Sequence, residues 1–291
     1  MATILITGCS KGIGMSAALI FARAGHQVAA TMRNPTNARE LHDVAVKEKL
    51  PIRIFKLDVD SDESVSSTVE RITKEMGFID VLINNAGIER SGAIEETQLL
   101  AFRAVMETNY FGVIRCVQAV LPLMRKQGKG CIINVASVAG RVASAAMAPY
   151  SASKFALESF SEILAQEVKA LGIRVAIVEP GIIDTPMAQH ITVITLPASN
   201  YSHQLRLAAL FTASLKRPVS PTIVADKMLE IVETGTLQLR HLVGPDAIPF
   251  INWRQSMNDE AWINLAALDD DAWYERIKGD FGMEVKPVAV V

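Results

Sequence analysis

Short runs of apolar, largely β-branched residues recur along the chain at residues 4–7, 28–32, 53–57, 81–84, 131–136, 174–179 and 241–243. Most are continuously apolar rather than alternating, the pattern of strands buried on both faces. Between them lie longer stretches of helical composition, notably residues 16–24, 37–49, 62–76, 99–125, 150–170 and 221–234. Regular alternation of strand and helix predicts an α/β fold: a doubly wound, seven-stranded parallel sheet covered by helices on both sides. In such a sheet the ligand crevice lies outside the carboxyl ends of the strands. Asn84, Ser137 and Pro180 all fall at such ends.

Two segments stand outside this rhythm. Residues 187–218 are apolar in patches, among them Ile191, Ile194, Leu196, Leu207 and Phe211, broken by Thr, Ser and Asn. That texture suits a partly mobile cover over the crevice. The plainer alternative is that the segment only packs on the tail. Residues 247–291 carry all three tryptophans, Trp253, Trp262 and Trp273. There Asp269-Asp270-Asp271 reads as a helix start, with acids at the positive end of the helix. The expected organisation is one Rossmann-like domain over residues 1–246, cover included, with a helical C-terminal extension over 247–291 packed on it.

Bulk properties narrow the function classes. At 291 residues, half of them hydrophobic, the chain suits a single large α/β domain. A net charge of −2 with both signs interspersed gives no basic footprint for nucleic acid or an anionic membrane surface. No run of eighteen apolar residues is present, so membrane insertion is not expected. The first strand starts too early to leave room for a signal peptide. Cys9, Cys116 and Cys131 have no metal-ligand spacing and fit a reduced, cytoplasmic setting. The five histidines form no ligand pattern, so no metal site is expected.

Candidate chemistry sits at two places. The first strand runs into Gly8-Cys9-Ser10-Lys11-Gly12-Ile13-Gly14, followed by a helical stretch. Glycines permit a tight turn and close approach of backbone to a diphosphate, and the helix N-terminus offers N–H groups and a positive dipole end. The second place is Tyr150-Ser-Ala-Ser-Lys154, preceded by Ser137 at the end of the fifth strand. Positions i and i+4 share a helix face. A cation beside the phenol lowers its pKa from about 10 and readies it for acid–base work.

Thr7-Gly8-x-x-x-Gly12-x-Gly14, Asn84-Asn85-Ala86-Gly87, Asn109, Ser137, Tyr150, Lys154 and Pro180-Gly181 occur in order. On these motifs the chain resembles the short-chain dehydrogenase/reductases over about residues 2–245. It is most similar to the single-domain carbonyl, hydroxysteroid and retinol dehydrogenase-like members. The resemblance implies that Asn84, Asn85, Ala86 and Gly87 stabilise the central sheet and wall the adenosine side, with Asp58 and Val59 facing the adenine. It implies nicotinamide contacts from Pro180, Gly181, Ile183 and Thr185, and a proton relay through Asn109 and a water to Lys154. It also implies a homodimer or homotetramer built on the long helices.

For the cofactor, a carboxylate at the end of the second strand marks NAD enzymes and a cation there marks NADP enzymes. Here Met32 fills that position, Arg33 follows, and Lys11 lies in the glycine turn, which together favour NADP(H). The expected activity is hydride transfer between NADP(H) and a ketone, aldehyde or secondary alcohol, with a hydrophobic small-molecule substrate. The alternatives are a 3-oxoacyl thioester reductase and a non-catalytic NADPH-binding sensor or scaffold.

Overall fold

The computed structural model describes residues 1–193 and 199–286. Seven strands form one sheet: β1 (Thr3–Ile6), β2 (Gln27–Met32), β3 (Ile52–Lys56), β4 (Val81–Asn84), β5 (Gly130–Val135), β6 (Ile173–Pro180) and β7 (Arg240–Val243). Their order is β3-β2-β1-β4-β5-β6-β7, and every neighbouring pair is parallel. The order reverses between β1 and β4, which opens the crevice at their carboxyl ends.

Strand residues alternate between two cores. Ile4, Ile6, Val81 and Ile83 face α1 (Gly12–Arg23) and α9 (Thr222–Thr234), whose Phe21, Val224 and Met228 meet them. Leu5, Leu82, Ile132 and Ile177 face the other side. There α3 (Asp62–Met76), α5 (Gly112–Gln127) and α6 (Ala148–Val168) supply Val69, Val117 and Leu157. Period-two side chains with both faces covered account for the continuously apolar strands. On the β3 edge, α2 (Arg39–Glu48) completes the first layer, with Leu41 buried in the α1 core.

The stretch expected as one helix over residues 99–125 is interrupted. It consists of α4 (Leu99–Met106), a wide π turn (Glu107–Phe111) and α5. The widened turn holds Asn109 buried against the end of β4, and Gly112 lets α5 come close to Val59, where a Cβ would lie 2.9 Å from the Val59 side chain. Single-turn π segments of this kind collect at functional sites.

The cover contains α7 (Pro186–Ile191) and α8 (His203–Leu215); Ile194 and Leu196 lie outside the described residues. The extension is helical as expected: α10 (Ala247–Gln255), α11 (Asp259–Ala266) and α12 (Asp270–Phe281). The Asp269 carboxylate accepts the Ala272 N–H at 2.8 Å, capping α12 as the acidic trio predicted. Among the described residues no helix is long and apolar enough to cross a membrane.

Candidate active site

The turn after β1 is built for close backbone approach. Gly8 has φ +74°, and a Cβ there would meet the Ala86 Cα at 2.8 Å; a Cβ on Gly14 would meet the Gly8 carbonyl oxygen at 2.3 Å. Any side chain at either glycine would therefore force apart the turns after β1 and β4. Two bonds to the Thr7 hydroxyl, from the Asn85 and Ala86 N–H groups at 3.0 Å, stitch the turn after β1 to the turn after β4. The Asn85 side-chain amide donates to the carbonyls of Thr7 (2.9 Å) and Gly8 (3.2 Å). No side chain caps α1, so its first N–H groups remain available.

This cradle opens into a cavity of about 850 Å³. Its near end carries Ser10, Lys11, Gly12, Ile13, Arg33, Val59, Asn85, Ala86 and Gly87, all expected cofactor residues. Lys11 and Arg33 are exposed, whereas Met32 is buried at the end of β2. Asp58 stands beside the wall rather than on it, and its carboxylate accepts the Asp60 N–H at 3.2 Å. Asp60 is on the wall instead. Its carboxylate accepts the Thr108 hydroxyl at 3.0 Å and feels the charge of Arg33.

Ser137, Tyr150 and Lys154 share the far wall of the same cavity. Pro149 starts α6, leaving Tyr150 in the first turn and Lys154 one turn on, so both face the sheet. A buried relay of amides fixes that helix: Asn84 donates to Asn134 (2.8 Å), and Asn134 donates to the Ser161 hydroxyl (2.8 Å). Asn109 is fully buried off the wall. Its Oδ1 accepts the Ile88 N–H (2.8 Å), and its Nδ2 donates to the Ile88 carbonyl (2.9 Å) and to Ser153 (3.0 Å). Ser153 in turn donates to the Tyr150 carbonyl at 2.7 Å, so Asn109 braces the first turn of α6.

The electrostatics differ from the expectation of a phenol acidified by Lys154. The Tyr150 phenol is pushed up to about 12, first by burial, then by the Glu89 charge, with a hydrogen bond from Ser137 opposing. Lys154 is pulled down to about 8 by burial, against the pull of Glu158. Its ammonium donates to the Val135 carbonyl at 2.8 Å and lies 5.6 Å from the Tyr150 ring centre. Burial disfavours the charged form of each group, and here it is the largest cause of both shifts. Behind Lys154, Glu158 is pushed up to about 7 by burial and by fully buried Glu179, while Arg240 at 3.0 Å restrains it.

Pro180, Gly181, Ile183 and Thr185 lie together on the cavity wall after β6. Gly181 has no room for a side chain: a Cβ would sit 2.0 Å from the Asp246 carboxylate. Asp246 also accepts the Ile182 N–H at 2.8 Å, which holds this turn in place.

Beyond Tyr150 the cavity becomes mainly apolar, with His190, His203 and Arg206 as its polar side chains there. Leu207 and Phe211 of α8 and Ile191 of α7 pack with Ala139, Met147 and Tyr150. The other face of α8 packs on the extension, where Ala209 joins Tyr274, Ile277 and Val285. Among the described residues of this segment, α7 and α8 therefore wall the cavity and α8 also docks on the tail. Trp253 and Trp262, edge to face at 5.0 Å, and Trp273 also reach the cavity.

The structure brings the residues expected at the two ends of the site into one cavity, together with supports the sequence did not mark. Glu89, Asp60, His190 and the tryptophans line the cavity but carry no motif. The one available signal was Glu89 itself, an acid directly after Asn84-Asn85-Ala86-Gly87-Ile88.

Known proteins match this architecture. The family model described as short chain dehydrogenase matches residues 2–193. A 3-ketodihydrosphingosine reductase of Bacteroides thetaiotaomicron is 35% identical over 246 residues, 83% of this chain and 87% of that protein. Retinol dehydrogenase 8 of Bos taurus is 35% identical over 263 residues, 86% of this chain and 83% of that protein. A solved short-chain dehydrogenase of Streptomyces avermitilis overlays with a TM-score of 0.77 at 30% identity, covering 96% of this chain and 98% of that one. With its glycine cradle, its parallel sheet and a family match over most of its length, the chain belongs to the short-chain dehydrogenase family of oxidoreductases.

Proposed function

We infer that the protein is an NADP(H)-dependent oxidoreductase acting on a ketone or aldehyde, or on the matching alcohol, with a hydrophobic body. The observation that carries the reading is that Ser137, Tyr150 and Lys154 share one cavity with the glycine cradle. Gly8, Gly12 and Gly14 fit a dinucleotide, because the lack of a Cβ at Gly8 and Gly14 lets the turn close tightly on itself and on Asn85-Ala86, the compact turn that diphosphate binding uses. Arg33 and Lys11, with Met32 where a carboxylate would select NAD, support the phosphorylated cofactor. When bound, a nicotinamide cofactor donates or accepts the hydride.

The chain's own residues handle the proton and the oxygen. In reduction, Tyr150 is the acid that protonates the carbonyl oxygen, and Ser137 donates a hydrogen bond that steadies the developing charge. Lys154 places a cation behind the phenol and, by resemblance, within reach of the nicotinamide ribose. Leu207, Phe211, Trp253 and Trp262 give the substrate an apolar bed, which favours a free hydrophobic molecule over a carrier-bound thioester. The relatives named for retinol and 3-ketodihydrosphingosine act, by those names, on an alcohol and a ketone.

A cofactor-monitored screen of ketones and alcohols with NADPH and NADH tests the reading. Turnover with NADPH is expected, and Tyr150→Phe, which keeps the ring but loses the proton, should lower it by at least about 100-fold. NADPH binding with no turnover on any carbonyl would reject catalysis. Preference for NADH would reject the cofactor assignment.

A further inference from the structure

Glu89 is a buried charge of the cavity that the reaction leaves unused. It stands just past the end of β4, on the wall shared by Ser137, Tyr150 and His190, and is 6% exposed. The Ser91 hydroxyl nearby favours its charged form, the largest influence opposing burial. Oε1 is buried and has no partner among the described residues. The adjacent guanidinium does not fill the gap, because Arg90 donates to the Glu89 backbone carbonyl at 2.7 Å. The carboxylate is within electrostatic reach of the Tyr150 phenol on one side and of His190 on the other.

An ionised carboxylate can only accept hydrogen bonds. An acceptor buried without a donor bears its full desolvation cost, and a buried charge gains most from a partner of opposite sign. Burial is the main cause raising the pKa of Glu89, and a bound cation would favour its charged form. Away from Tyr150 the walls are mainly apolar, with Leu207, Phe211, Trp253 and Trp262, although His203 and Arg206 also reach them. The cavity thus combines an unmet acceptor near the reacting end with an apolar bed beyond it.

We propose that Glu89 is a substrate-recognition residue, binding an ammonium or hydroxyl donor carried beside the reacting carbonyl of a molecule whose remainder is apolar. The assignment rests on the oxidoreductase reading and names its substrate class: long-chain α-amino or α-hydroxy ketones and the corresponding amino alcohols or diols. Glu89 touches the substrate's neighbouring polar group and takes no part in moving the proton.

The test uses the full chain, NADPH and three ketones of one chain length: a plain long-chain ketone, its α-hydroxy derivative and its α-amino derivative. The readout is the ratio of kcat/KM for each donor-bearing ketone to that of the plain one. Taken within a single preparation, the ratio is insensitive to loss of folded protein. The donor-bearing ketone should win by about ten- to a hundred-fold, the worth of one charge-assisted hydrogen bond. Glu89→Leu should bring the ratio towards one. Glu89→Gln should abolish a preference for the amine but keep part of a preference for the hydroxyl, which separates the two donors. Equal kcat/KM for all three ketones, or a preference that survives Glu89→Leu, overturns the role of Glu89 and leaves the oxidoreductase reading standing. No turnover of any of the ketones or their alcohols overturns that reading, and the Glu89 assignment with it.

Discussion

Burial drives Tyr150 and Lys154 towards their neutral forms, the phenol to about 12 and the ammonium to about 8. The sign of each shift has a kinetic consequence. A protonated phenol is the acid that carbonyl reduction requires, and it is already the dominant species at neutral pH. Alcohol oxidation requires phenolate, a minor species there. Between pH 6 and 8 the oxidation rate should rise about tenfold per pH unit while the reduction rate stays flat. Above about 8, loss of the Lys154 charge removes the cation that supports phenolate, so the rise should slacken. Rate profiles in both directions check this, and an oxidation plateau already reached at pH 7 would mean that the phenol titrates far below 12. The juxtaposition of Tyr150 and Lys154 was legible because their spacing is local, one helical turn. Asp246 was not, since it meets Gly181 and Ile182 across the chain from beyond the last strand, and sequence spacing carries no sign of that contact. Nor could spacing reveal that Glu179, inside an apolar strand, is fully buried beside Glu158.

Elements were legible where periodicity and caps agree. Asp269 caps α12, Ser61 caps α3 through the Ser64 N–H at 3.2 Å, and the strand runs fall within a residue or two of the expected ends. The π turn was not legible, because residues 99–125 keep helical composition throughout and only tertiary contacts of Asn109 and Gly112 mark the interruption. Docking of the cover on the extension was equally hidden, and it depends on one side chain. Arg206 of α8, buried, donates to the carbonyls of Ala266 (3.1 Å) and Leu268 (2.6 Å) and to Asp270 (2.7 Å). Those two carbonyls close the C-terminal side of α11; without Arg206 the Leu268 carbonyl loses its donor, at about 1–3 kcal/mol, while the Ala266 carbonyl keeps His203 Nε2 at 3.1 Å. Because Asp270 is half exposed, its ion pair adds little. Arg206→Met keeps the apolar stem and removes the latch. Hydrogen exchange should then quicken in residues 203–215 and 259–281 while the sheet stays protected. Unchanged exchange in both segments would show that the apolar contacts of Ala209, Tyr274 and Ile277 hold the cover alone.

At the scale of the whole molecule, alternation of strand and helix sufficed for the sheet, since parallel neighbours with right-handed crossovers leave few other orders. What alternation does not describe is the outer surface of the helices. On α6, Phe155 and Ile163 lie two turns apart on one face and are 42% and 52% exposed, and Phe111 at the head of α5 is 45% exposed. Phe111 packs edge-on to Tyr110, which packs edge-on to Phe160 of α6, so the apolar area runs across both helices. Contiguous exposed apolar area of this kind commonly marks an association surface. The resemblance to dimers and tetramers built from long helices points to the same place. A two-fold axis would set this face against its own copy, and burying about 800 Å² per subunit is enough for a specific contact. We therefore expect light scattering at working concentration to give at least twice the 31.6 kDa chain mass. Because neither side chain lies in the cleft, Phe155→Glu with Ile163→Glu should shift that mass to the monomer without exposing the core. A monomer mass for the unaltered chain would mean that this face only covers the sheet, and an oligomer that survives both substitutions would place the interface elsewhere.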